Sequence, residues 1–509
     1  MSVTVVSTPI TGTALTRPAV EGVGSRWYVP RPSDSTRWLE RAATVRDNLL
    51  TNDWTLDLAP ALNATGRAAN NLARVSSTGF AVTTGQQPGL FGGPLYTWWK
   101  ALSAVALAAR LESLTGVPVV PIFWAATDDS DFAEASYTVV PSSDGAERIE
   151  MRIEAESGTP LSAISVGDLE EQITRLERSA GSAASSETLR IVRDTYRSSA
   201  TVGGAYVELL RRILEPLGVP VLDASHPAVR AAQRPLLSRA LENADTVEEA
   251  LAARTRDLKA GGHSAQVKLV KGRTLVFAEE NGRRERLRIR DVKKSATDSN
   301  IGSLGPNVLL RPVVEAAIIP TVAYIGGPAE IAYFAQTSAV AEALGAVTPL
   351  VVPRWSGFVI EPRIQKILER HSLTVEDFRD PHMVESRIAR DSLPHSFRDG
   401  LNELREAIAN LTGNLARSEG ADLVPPSVLD GLKRGMNHRV DRLERRMAAS
   451  VKRKGNDALH DARIARGSLF PLGTPQERAL NLIPLLARNG NDLLSAVLDE
   501  ARRHAERIA

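Results

Sequence analysis

The feature that most constrains this chain is a turn written twice, more than two hundred residues apart. Gly92-Gly93-Pro94 leads into LYTWWKALSAVALAARLE, and Gly326-Gly327-Pro328 leads into AEIAYFAQTSAVAEALG. Each turn follows an apolar run and opens an apolar-faced helix. Glycines between a strand and a helix let backbone N–H groups approach a ligand, and a proline in the first helical turn gives up an N–H that would be unpaired anyway. The pair predicts two walls of one anion-binding cleft.

The surrounding pattern predicts an α/β fold. TGFAVTTG (78–85) reads as a strand, 94–114 as a helix and GVPVVPIFWAAT (116–127) as a second strand, a parallel crossover unit of the doubly wound type. Strand runs return at 218–225, 318–327 and 347–355, so one sheet is assembled from distant parts of the chain. Insertions interrupt it: 137–155 alternates as a hairpin around Ser142 to Gly145, 167–215 is mostly helical, and 262–291 reads as strands joined at Asn281-Gly282.

Phe397, Leu401, Leu404, Ile408, Leu411 and Leu415 form a heptad seam. Leu429, Leu432, Met436, Val440, Leu443, Met447 and Val451 form a second, so the pair reads as an antiparallel helical hairpin. A second arm running unbroken from 427 to 466 would be about 60 Å long. The expected organisation is core in 1–136, 216–255 and 300–383, a hairpin and helical insertion in 137–215, a β insertion in 256–299, the coiled-coil hairpin in 384–466, and a segment 467–509 packing back on the core.

Composition narrows the chemistry. With no cysteine, thiol nucleophiles, disulfides and thiolate metal sites are excluded, and the eight histidines show no metal-ligand spacing. A net charge of +2 gives no pull toward nucleic acid. The first residues, MSVTVVSTPITGT, lack a basic leader, and the apolar stretch around Ala101 to Ala109 is far short of a membrane span, so the expectation is a cytoplasmic protein without membrane contact. There is no G-x-S-x-G elbow, which disfavours a serine hydrolase.

Four places carry candidate chemistry. In TTGQQPGLFGGPLYTWWK, the bare backbone of Gly85, Gly89, Gly92 and Gly93, the amides of Gln86 and Gln87, and Lys100 suit a phosphate or carboxylate at a helix start, although a tight turn with a surface lysine fits the same letters. It is not a P-loop. Asp128-Asp129-Ser130-Asp131 follows the second strand, where ligands of parallel sheets collect; its carboxylates suit Mg²⁺, a substrate amine or a general base, or simply helix capping. Arg311 precedes the second turn as a carboxylate or phosphate clamp or as half of a structural ion pair, and Glu330, Tyr333 and Gln336 follow that turn. Lys433, Arg434, His438, Arg439, Arg442, Arg445, Arg446, Lys452, Arg453 and Lys454 make the second arm basic, a face for phosphate or an acidic partner or an ordinary solvated surface.

At these residues the chain resembles the cysteine ligase family of bacillithiol biosynthesis, BshC, over essentially its whole length. The first motif is carried by Thr84, Gly85, Gln86, Gln87, Gly89, Leu90, Gly93, Pro94, Tyr96 and Lys100. PIFWAATDDSDFAE is a second, Asn307 to Pro312 with YIGGPAEIAYFAQ a third, and LFPLGTPQER, with Gln476, Glu477 and Arg478, a fourth. The resemblance implies a Rossmann-like core with connecting-peptide insertions and a coiled coil that makes a homodimer. It also implies the last step of the pathway, joining cysteine to glucosaminyl-malate. Where relatives commonly carry Glu-Asp-His-Asp this chain has Asp128-Asp129-Ser130-Asp131, Ser136-Tyr137 stands for Asn-His, and Ala329 replaces a glycine.

The functional expectation is therefore an amide-forming ligase whose cleft lies between the two turns. Activating a free carboxylate calls for ATP, with Mg²⁺ as its companion. Lys100, Asp128, Asp129 and Asp131 are the expected catalytic residues, with no resident metal ligands. Thr84, Gly85, Gln86, Gln87, Gly89, Gly93, Tyr96, Asn307, Arg311, Gly326, Gly327, Glu330 and Tyr333 are the expected substrate and nucleotide contacts. A nucleotidyltransferase acting on another small polar substrate and a non-catalytic dimeric scaffold are the alternatives.

Overall fold

Three apolar runs decide the core. FAVTTGQ, VVPIFWA and TVAYIG are buried almost without interruption, the pattern of strands covered on both faces. In the computed structural model, which describes residues 3–76, 78–183, 186–295, 303–391, 393–419, 421–454 and 457–509, they form β1 (Phe80–Gln86), β2 (Val119–Ala125) and β7 (Thr321–Gly326). β3 (Val221–Asp223) and β8 (Val351–Pro353) complete a parallel sheet in the order β8-β7-β1-β2-β3. The chain order is broken between β1 and β7, a switch point of the doubly wound kind, at whose carboxyl edge ligands bind.

Helix α1 (Leu95–Thr115) connects β1 to β2. It is buried nearly all round because the C-terminal helix Asn491–Ile508 covers the side that the sheet leaves open. α2 (Arg311–Ile318) and α3 (Pro328–Ala343) flank β7. The β insertion is a three-stranded antiparallel sheet of β4 (Arg273–Glu280), β5 (Arg283–Arg288) and β6 (Ser303–Pro306), in the order β5-β4-β6. Asn281 (φ 51°) and Gly282 (φ 75°) make its two-residue hairpin, the left-handed pair that such a turn requires. Residues 296–299 of the expected insertion lie outside the described residues.

Contacts divide the chain into two units. One holds Met1–Val140, Arg148–Val359 and Glu477–Ala509; the other holds Pro141–Glu147 and Ile360–Gln476. In the second unit, α4 (His395–Leu415) packs along α5 (Pro426–Lys454) through Leu401, Ile408 and Val440, with Phe397 against them. Arg405 bridges the pair, at 2.9 Å from Asp441 and 2.6 Å from Glu444. Of the other seam positions, Leu404, Leu411, Leu415, Leu432, Met436 and Leu443 are exposed, while Leu429 and Met447 are half-buried, because two helices share one interface and the apolar stripe is wider than that. The Val451 side chain and the continuity of the arm at 455–456 fall outside the described residues.

Candidate functional site

Four strand ends build the site. Gly85, Gln86 and Gln87 leave β1, Ala126 and Asp128 to Ser130 leave β2, Gly327 to Glu330 leave β7, and Arg354 leaves β8. With Asn307, Arg311, Tyr96, Arg478 and the insertion's Phe277, Arg284 and Arg286, they line a cleft of about 580 Å³. At Gly85 the close approach is real: a Cβ there would meet the Trp124 carbonyl at 2.9 Å.

The two turns are tied by one buried ion pair. Lys100, in α1, donates to Gly85 O (2.9 Å) and Gln86 Oε1 (2.8 Å) and pairs with Glu330 Oε2 at 2.5 Å. It is not a surface lysine, and its three hydrogen-bonding directions are spent. Glu330 also accepts from Tyr324 Oη (2.6 Å) and Gly327 N (2.8 Å). Burial lowers the Lys100 pKa. Burial alone would raise that of Glu330, but the Lys100 charge and the three donors hold it below the usual carboxylate range.

Arg311 is also held by neighbouring side chains while it stays on the lining. Its guanidinium reaches Glu315 Oε2 (2.7 Å), Tyr324 Oη (3.1 Å) and Tyr333 Oη (3.2 Å). Asn307 accepts from Leu309 N and Leu310 N, fixing the entry to α2. Gln336 is buried off the lining and holds Val267, itself a lining residue, through both the N–H and the C=O of Val267.

Several expected contacts lie off the cleft lining. Thr84 is buried and donates to Ile325 O. Gly92 N and Gly93 N are used inside their own turn, on Gly89 O and Leu90 O, and Asn481 Nδ2 donates to Phe91 O and Gly93 O. Gly89 lies against Gly93, where a Cβ would come within 2.8 Å of Gly93 Cα. The main-chain N–H groups of this turn therefore face their own carbonyls. Gly326 is packed under Val351.

The acidic run separates into distinct roles. Asp128 pairs with Arg284 at 3.0 Å, and Arg284 also donates to Asp128 O and Pro306 O. Asp131 is exposed and caps the short helix Phe132–Ala135 through Glu134 N. Asp129 lines the cleft and accepts Ser130 N (2.6 Å) and Asp131 N (3.1 Å) on one oxygen, Oδ1. Burial and the neighbouring Asp128 raise its pKa, against Arg284 and the two N–H donors. Beside it on the lining, Glu134 accepts Gln87 Nε2 at 2.6 Å. Its pKa is raised by burial, Asp131 and Asp129. Tyr96 stays a neutral phenol, its pKa raised by burial and by Glu134 and Glu330.

The lining also holds groups that the sequence reading does not single out. Arg354 makes a buried bidentate pair with Glu477 (2.8 and 2.6 Å). Its position at the end of the strand run 347–355 is the signal that could have found it, the same strand-end rule that marks Asp128. Glu134 and Arg286 carry no such signal. Ser130 stands on the lining, and no histidine does among the described residues. Among those residues no cluster of three His, Cys, Asp or Glu side chains is placed to hold a metal, and no helix is long and apolar enough to cross a membrane. On α5, Lys433, Arg434, His438, Arg439, Arg442, Arg445 and Arg446 are exposed, while the side chains of Lys452, Arg453 and Lys454 lie outside the described residues.

Comparison with known proteins places this cleft in a family. Residues 34–355 match the model of the N-terminal Rossmann-like domain of bacillithiol biosynthesis BshC, and residues 357–507 match that of its C-terminal coiled-coil domain. A protein of Solibacter usitatus is 35% identical over 469 residues, covering 88% of each chain. One of Koribacter versatilis is 32% identical (86% of this chain, 85% of that one), and one of Salinibacter ruber 28% (84% and 81%). All three bear the name "Putative cysteine ligase BshC". Matched by the two domain models over most of its length and by relatives covered to more than four fifths, the chain belongs to the BshC family of bacillithiol biosynthesis.

Proposed function

We propose that the protein is an amide-forming ligase that joins the carboxyl group of cysteine to the amine of glucosaminyl-malate. The observation that carries this reading is Asp129. It is a buried carboxylate at the carboxyl edge of the sheet, with a raised pKa and one oxygen held by two main-chain N–H groups. The other oxygen is left to accept a proton from an attacking amine, which is what amide formation asks of a general base. Glu134 beside it adds negative charge that favours a cationic amine before transfer. With no histidine on the described lining, proton transfer in this chain falls to carboxylates.

ATP is the proposed cosubstrate and supplies the activation of the cysteine carboxyl group. Asp128 is committed to Arg284, so it is not proposed as a Mg²⁺ ligand. Mg²⁺ is proposed as the counter-ion of the nucleotide. Lys100, Glu330 and Arg311 are positioning residues that hold the two walls at a fixed spacing. Family membership over both domains favours this reading over a nucleotidyltransferase or a scaffold.

The test is reconstitution of the purified protein with cysteine, glucosaminyl-malate, ATP and Mg²⁺, followed by mass spectrometry. A product of mass equal to the two substrates less one water, dependent on ATP, is expected. Release of AMP or ADP tells adenylate from acyl phosphate. Failure to form that amide overturns the reading. The exposed apolar stripe of α4 and α5 supports the further proposal of a homodimer through the coiled coil. Leu404→Glu with Leu443→Glu should turn a dimer into a monomer in light scattering; a variant that stays dimeric places the interface elsewhere.

A further inference from the structure

Pairing off the buried and half-buried cations of the cleft leaves one without a structural partner among the described residues; Arg478, also on the lining, is exposed. Arg284, Arg311 and Arg354 each face a carboxylate. Arg286 does not. It lies two residues from Arg284 on β5, hence on the same face, and both line the cleft with Phe277 of β4, which stands opposite Arg286 in the ladder. Its Nε donates to Thr274 O at 2.7 Å, and its own carbonyl accepts from Arg273 Nη1. Among the described residues nothing is bonded to its two terminal nitrogens, and no carboxylate pairs with it.

This arrangement is costly for a protein that gains nothing from it. Burial, and then Arg273, lower the pKa of Arg286, so its surroundings disfavour the charge. A guanidinium taken partly out of water without a counter-ion is destabilising, and a neutral side chain on that strand would avoid the cost. The geometry is also preset. With Nε anchored on an antiparallel strand, the Nη1 and Nη2 edge is held as a fork, the shape that matches a carboxylate or phosphate in two parallel hydrogen bonds.

We propose that Arg286 is an oxyanion-binding residue of the cleft, so that the β insertion supplies the guanidinium that holds a carboxylate or phosphate group of a substrate. The identity of that substrate rests on the ligase reading above; the anion site does not. The full-length protein and its Arg286→Met and Arg286→Lys variants are titrated with L-malate and with inorganic phosphate by calorimetry at low salt, and their thermal stability is measured alongside. Wild type should bind at least one anion, Arg286→Met should lose that binding without losing stability, and Arg286→Lys should bind tenfold or more weakly because it keeps the charge and loses the fork.

The anion that binds names the source, a substrate carboxylate or a nucleotide phosphate. Wild type that binds neither, or an Arg286→Met variant that binds as tightly as wild type, overturns the proposal. Should the methionine variant fail to fold, the lysine variant decides, and wild-type affinity in it overturns the proposal as well. Anion binding that depends on Arg286 in a protein that forms no amide would keep the site and remove the ligase reading.

Discussion

The two Gly-Gly-Pro turns share their letters, a strand before and a helix after, and they do different work. Around Gly92-Gly93-Pro94 the backbone closes on itself: Gly93 adopts φ 69°, Phe91 is forced to φ 52°, and the turn's N–H and C=O groups are taken up by Gly89, Leu90 and Asn481. Around Gly326-Gly327-Pro328, Gly327 sits on the cleft lining, and its N–H fixes Glu330, which in turn fixes Lys100. In the first turn glycine allows backbone to pack on backbone, and in the second it leaves the cleft lining bare. What separates them is where the N–H groups go, and that is a property of distant partners.

The largest effect that would test this division is expected at Lys100, the group that spans both walls. Lys100→Met leaves Glu330 buried with its principal counter-charge gone and should cost about 3–5 kcal/mol of folding stability, read from denaturant midpoints. Adding Glu330→Gln to that variant should recover part of the loss, because no uncompensated charge is left. A Lys100→Met protein as stable as wild type would mean that the two walls are not held by this pair.

Asp129→Asn comes next and acts on chemistry alone. Asparagine keeps an oxygen for Ser130 N and Asp131 N, so the turn should hold, while kcat/KM should fall roughly a hundredfold or more. The sign on stability runs the other way. Because the folded pKa of Asp129 lies above its ordinary value, the native state binds the extra proton between the two values, and the ionised carboxylate opposes folding at neutral pH. The variant should therefore be no less stable than wild type. The wild-type acid limb of kcat/KM should lie above the ordinary aspartate value of about 3.9. Full activity in Asp129→Asn would move the base elsewhere in the cleft.

How far the sequence reaches follows the same division. The sheet is legible because a fully buried strand must be apolar along its length, so FAVTTGQ, VVPIFWA and TVAYIG announce themselves. The acidic run is legible as a strand-end feature. Its separation into a paired Asp128, a poised Asp129 and a capping Asp131 is not, because Arg284 lies 156 residues away in the chain. Arg311 reads equally as a clamp or as half of an ion pair, and it takes Glu315, Tyr324 and Tyr333 around it to show the ion pair. Arg286 is invisible in RRERLR, which looks like any solvated edge strand. The heptad letters show an apolar stripe and leave open whether the second helix or a second molecule covers it.

The smallest effects come from a matched pair of glycine substitutions, and they test the comparison of the turns most directly. At Gly89 an added methyl group meets the Gly93 backbone at 2.8 Å, a contact that no side-chain rotation can relieve. Gly89→Ala should lower stability by about 1–3 kcal/mol, as overpacking does, with KM for every substrate unchanged in the protein that folds. At Gly327 the backbone has φ −86°, which alanine adopts freely, and the methyl group would lie 3.5 Å from Glu330 Oε2 and 3.6 Å from Arg354 Nε, ordinary contact distances. Gly327→Ala should leave stability nearly unchanged and raise KM for a substrate severalfold by filling space on the lining. If instead Gly89→Ala raises KM at constant stability, the first turn does touch a ligand. If Gly327→Ala changes neither quantity, the second turn is no more than a helix start, and the ligand sits nearer the β1 and β2 ends of the cleft.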